Sequence, residues 1–100
     1  MIKFSENEVY SFKTSGGEEI IAKVISVTDE YLIVKHPLTV MHNQQGMGLV
    51  PSLFTANMDE NIRLNTNDIF LCGIADIAVK NKFIEATTGI SVPNKKLILG

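Results

Sequence analysis

Few side chains in this sequence can do chemistry, and their spacing decides what kind. His36 and His42 stand six residues apart on either side of Pro37. A zinc site draws on closely spaced cysteine, histidine or carboxylate ligands. No cysteine lies near these histidines and the sequence converges no carboxylate on them, so no metal site is expected. Cys72 is the sole cysteine. A Cys–His nucleophile would need a third group to orient the histidine, and an oxyanion site. Cys72 falls inside the apolar run Ile69-Phe70-Leu71-Cys72, where an inert, buried thiol is the expected role. The pairs Asp29-Glu30 and Asp59-Glu60 lie in polar turns, where carboxylates are solvated. Gly46-Met47-Gly48 lacks the lysine and the following helix of a phosphate loop. The chain is therefore expected to be no enzyme and to carry no cofactor.

Composition narrows the partners. The 100 residues suit one domain, and 45% are hydrophobic against 20% charged. So apolar a chain of this size points to surface covered by another subunit. Net charge is −2, and the only adjacent basic pair is Lys95-Lys96. Charge-driven, sequence-blind binding to duplex nucleic acid is disfavoured on that balance. A lone cysteine allows no internal disulfide, which fits a reducing compartment. The acidic start of the chain lacks the apolar stretch of a signal peptide, and no run has membrane-spanning length. A cytoplasmic protein with no membrane partner is expected.

The elements that must position these residues are mostly strands. Ser5 and Glu8 have capping-box spacing, which allows one helical turn or an ordinary polar turn. Val9 to Lys13 alternates apolar and polar residues, and Thr14-Ser15-Gly16-Gly17-Glu18 then predicts a hairpin. Ile20, Ala22 and Val24 define one face of the next strand, with Ile21, Ile25 and Val27 on the other. A strand apolar on both faces must bend between two packed layers. After Thr28-Asp29-Glu30, Tyr31 to Lys35 returns as a third strand, and Leu38 to Met41 can continue it past a bulge or edge at Pro37. Further strands are expected at Met47–Val50, continuing through Leu53–Ala56, then at Ile62–Leu64 and Ile69–Cys72. From Asp76, a candidate N-cap, Val79, Phe83 and Ala86 recur at helical spacing, widened by Ile77 and Ile84. Gly89 would end that helix, and an extended tail over 90–100 would follow. The expected plan is one domain, with a barrel over about 9–74 and a helix over about 76–88. The late strands are apolar and carry little charge to block edge pairing between subunits.

The hairpin region resembles the first sequence motif of the Sm-like (LSm/Hfq) family. That motif has a turn glycine, then an apolar, a small and an apolar residue at three, five and seven positions on, matched by Gly17, Ile20, Ala22 and Val24. Asp29-Glu30-Tyr31 resembles the acidic residue ahead of the family's next strand, one position late. Ile62-Arg63-Leu64 and Asn67-Asp68-Ile69 echo the second motif, an apolar-Arg-Gly turn. Compact acidic chains of this kind resemble Sm-like proteins of bacteriophages. The resemblance implies a small, strongly bent, five-stranded antiparallel barrel, here with a C-terminal helix. Its fourth and fifth strands would pair between subunits into a homo-oligomeric ring, pentamer to heptamer. Single-stranded RNA would be the ligand, with Arg63, Asn65, Lys35, His36 and Tyr31 as the residues to test, and Tyr31 or His36 as the base-stacking face. The family's RNA-contacting Asn position falls on Leu32 or Ile33, and Leu64 replaces its glycine. Lys35-His36 reads, without the resemblance, as a strand-end lysine and a loop histidine. The alternative function is a structural or protein-interaction module that binds no nucleic acid; an unrelated SH3-like barrel would share the strands without the ring. The expected location is the cytoplasm of a bacterial or phage-infected cell.

Overall fold

The computed structural model describes residues 3–88. It shows the mainly β, strongly bent antiparallel fold with a C-terminal helix expected above. The strands are β1 (Glu8–Thr14), β2 (Glu19–Val27), β3 (Tyr31–Asn43), β4 (Gly46–Pro51), β5 (Ile62–Asn65) and β6 (Ile69–Ile74). A 3₁₀ turn (Thr66–Asp68) joins β5 to β6, and α1 (Ile77–Thr88) follows. The sheet order is β4-β3-β2-β1-β6, with β5 pairing the first half of β3 beside β4. Gly89 and the tail over 90–100 lie outside the described residues.

Turn chemistry accounts for the start of the sheet. Gly17 adopts φ +94°, a region L-residues avoid, and closes the β1–β2 hairpin by donating its N–H to the Thr14 carbonyl at 2.9 Å. Ser5 and Glu8 form a turn and no capping box, since the Glu8 carboxylate accepts from Val9 N at 2.9 Å and not from the Ser5 N–H. Two register shifts bend β2 against β3. At the first, β3 carries an extra residue opposite Ala22, where His36 takes φ +55° and Pro37 follows. At the second, Ile25 is the extra residue on β2.

Those bends let one sheet serve two cores, but of the second apolar face expected for β2 only Ile21 enters one: Ile25 is the bulge residue, and Val27, 46% exposed, pairs beyond the bulge with inward-facing Leu32. Ala22 and Val24 join Tyr10, Phe12, Leu32 and Val34 in the inner cluster. Ile21 joins Val9, Leu38, Val40, Ala75 and Phe83 in a second cluster under α1. The Asp76 carboxylate caps α1 by accepting from Ala78 N at 3.2 Å.

Several details depart from expectation. Leu53–Ala56 is not a strand. Pro51 is the last β4 residue paired with β3, Ser52 N donates to the Pro37 carbonyl, and the chain then leaves the sheet until Ile62. The sheet has six strands where the resemblance implied five, one for each of the six strand runs read from the sequence. β5 and β6 are not ladder partners, so the sheet wraps its inner cluster without closing. Ile77 and Ile84 do not widen the buried stripe of α1; they are 68% and 38% exposed, and Ala86 is exposed too. Only Phe83, with Val79 beside it, docks this short helix on the sheet. No helix among the described residues is long and apolar enough to cross a membrane.

Candidate binding site

β3 and β5 bring three of the five candidate residues together. Their antiparallel register sets Tyr31 opposite Asn65 and Ile33 opposite Arg63. Directly paired residues share a face, and these four point away from the inner cluster, which takes Leu32, Val34, Ile62 and Leu64. The Arg63 guanidinium carbon lies 4.7 Å from the centre of the Tyr31 ring, a cation–π contact. Around them is an open depression of about 410 Å³ that also takes in Asp29, Glu30, Thr66 and Asn67.

The depression is held from two sides. In the β2–β3 turn, Thr28 Oγ1 accepts from the Glu30 and Tyr31 N–H groups at 3.3 and 3.1 Å. The 3₁₀ turn is fastened to it by Thr66, whose N–H and Oγ1 both donate to the Glu30 carbonyl at 3.1 and 2.9 Å. Two turns far apart in sequence thus make one rim. Its chemistry is mixed, with an aromatic face, one guanidinium, two amides and two carboxylates.

Lys35 lies on the same outward face, two residues beyond Ile33 on β3, and pairs with Lys23 on β2. His36 does not join the group. The bulge turns it aside, and its Nε2 lies 3.8 Å from the Asp59 carboxylate in the segment between β4 and β5. Thr66, Asn67 and Lys23 escaped the sequence reading because only the register places them beside Tyr31 and Lys35. The polar run Asn65-Thr66-Asn67-Asp68 after an alternating strand was the local sign of a break at Thr66.

A second cavity, about 520 Å³ and mostly apolar, opens between β3 and β6, floored by Phe4, Val27, Leu32, Ile69 and Cys72. Burial pushes the Cys72 thiol up to about 11. His42 is exposed in the β3–β4 hairpin, and no group of three potential metal ligands forms among the described residues. The chain matches no protein-family model, and no curated protein matches it either.

Proposed function

We propose that this chain is an Sm-like subunit of a homo-oligomeric ring, pentamer to heptamer, that acts as a binding scaffold and takes single-stranded RNA at the Tyr31–Arg63–Asn65 depression. The observation that carries the reading is the pair of apolar sheet edges. β6 ends the sheet on one side with Phe70, Leu71 and Ile74 exposed at 73, 59 and 66%. β4 ends it on the other, with Met47 exposed on the strand and Leu53 and Phe54 exposed just beyond. Open edges of this kind invite pairing with another chain. Two different edges pair head to tail, and rotation that closes gives a ring. Fully burying such a side chain contributes about 1.5–3 kcal/mol. The ring would work in the cytoplasm of a bacterial or phage-infected cell, without catalysis or a cofactor.

For the ligand, support comes from the stacking face of Tyr31, the cation held over it and the Asn65 amide opposite. Base–aromatic stacking is worth about 1–3 kcal/mol per base. A second reading, a ring that holds another protein and no RNA, is favoured by the net charge of −2 and by the two carboxylates on the rim. Sedimentation of the purified protein, alone and with labelled oligouridine at near-physiological salt, tests both. A closed oligomer that carries the RNA is the expected result. An oligomer that leaves the RNA behind would shift the function to the protein scaffold, and a monomer would sink the ring.

A further inference from the structure

The outward face of the sheet holds two like charges side by side. Lys23 on β2 and Lys35 on β3 are direct cross-strand partners, which places their Cβ atoms about 4.5–5.5 Å apart. Both are half-buried, so their stems lie along the sheet and their ammonium groups reach its surface. Like charges directly opposite each other destabilise a sheet unless something answers them. Nothing within the described residues does so. The ion pair there is Lys80 with Glu8, at 2.9 Å, and the Asp59 carboxylate faces His36 Nε2 at 3.8 Å. Two carboxylates on flanking segments are therefore engaged elsewhere. Arg63 extends the row, since it pairs with Ile33 and sits diagonally from Lys35, about 7–8 Å away.

We infer that Lys23, Lys35 and Arg63 form a phosphate track on the outer face of β2, β3 and β5, along which the backbone of a single-stranded nucleic acid leaves the Tyr31 depression. The inference rests on the RNA reading above and adds the path of the strand. A base stacked at Tyr31 puts its own phosphate within reach of Arg63, and the next phosphates run over Lys35 and Lys23. Charge complementarity selects the occupant, because the Lys23–Lys35 pair has no carboxylate partner among the described residues. The row also reconciles a net charge of −2 with nucleic-acid binding, since the track needs local cations and not a basic protein.

The test is the salt dependence of binding. Fluorescence anisotropy of labelled oligouridine would be followed between about 50 and 200 mM salt for the native protein, the Lys23→Gln/Lys35→Gln double variant, Tyr31→Ala, and Lys82→Gln on the exposed side of α1. Each phosphate contact on a single strand contributes about 0.7 to the log–log slope, so the double variant should lose about 1.4. Tyr31→Ala should weaken binding with its slope kept, and Lys82→Gln should match the native protein. A double variant with the native slope overturns the track and leaves the RNA reading standing. Inorganic polyphosphate, which has no bases, separates the two ideas. If the native protein binds polyphosphate through these lysines but ignores oligouridine, the row holds phosphate but the RNA reading falls and takes the nucleic-acid path with it. Binding of neither probe removes both. A double variant that sediments as a different oligomer would show the lysines meeting carboxylates of a neighbouring copy, which also overturns the track.

Discussion

Arg63 and Cys72 show how much one side chain's surroundings decide. Arg63 is exposed and held over Tyr31, and an exposed cation–π contact is worth only about 0.5–1 kcal/mol. Arg63→Ala should therefore leave folding and assembly nearly unchanged, while oligouridine binding weakens; unaltered affinity in titration would remove Arg63 from the site. Cys72 is governed by burial. Its thiol is pushed up to about 11, so at neutral pH the reactive thiolate is scarce in the folded chain. Alkylation by iodoacetamide should be slow in buffer and fast in denaturant, and rapid native labelling would contradict the burial. The apolar run around Cys72 was legible in the sequence, but the fully buried thiol expected from it is only half-buried and lines the second cavity. The like-charge pair of Lys23 and Lys35 was not legible, because eleven intervening residues and a bulge separate the partners, and only the β2–β3 register brings them together. His36 misled for the same reason, since a bulge that shifts one residue turns a side chain away from its neighbours' face.

At the scale of elements, hairpins and the helix were readable and the late strands were less so. Gly16-Gly17 marked a turn that needs positive φ, and Asp76 marked a cap that forms. Leu53–Ala56 looked like a strand because its residues are apolar, yet it has no partner after Pro51 ends the β4 ladder. Strand propensity reports a fit to a half-buried pleated surface, and here no neighbouring strand supplies one. The stripe of α1 was overestimated because periodicity shows which residues share a face, not how many turns of the helix reach the sheet. What fixes α1, besides Phe83, is the ion pair of Lys80 with Glu8 at the start of β1. The hydrogen bond from Lys80, helped by the Val9 N–H, holds the Glu8 carboxyl below its ordinary value. A carboxyl lowered in the folded state contributes stability above its unfolded value, and that stability is lost as pH falls through the folded one. Helical signal and unfolding midpoint should thus decline on acidification below the ordinary glutamate range. Glu8→Gln should flatten that part of the profile; an unchanged profile would mean that the pair does not hold the helix.

For the whole molecule, the question is where the apolar surface goes. A hydrophobic share of 45% was visible in the composition, but its concentration on two opposite edges was not. It depends on the sheet staying open between β5 and β6, which the 3₁₀ turn joins and no ladder pairs. If the subunits pair head to tail, each copy offers two unlike half-interfaces, and a charge on either edge should stop closure while leaving the subunit folded. Lysine is the residue natural sheets use to block such edges. Leu71→Lys on β6 and Met47→Lys on β4 should each therefore lose the closed oligomer by sedimentation and keep the native β signal by circular dichroism. The decisive step is mixing them. The Leu71→Lys subunit retains an intact β4 edge, and the Met47→Lys subunit retains an intact β6 edge, so one good contact is left between unlike copies. The mixture should settle as one-to-one dimers that cannot grow, because the two remaining edges are both blocked. A symmetric interface, in which each edge meets its own copy, would give a different result: each variant alone would still dimerise through its unmodified edge, and mixing would produce nothing new.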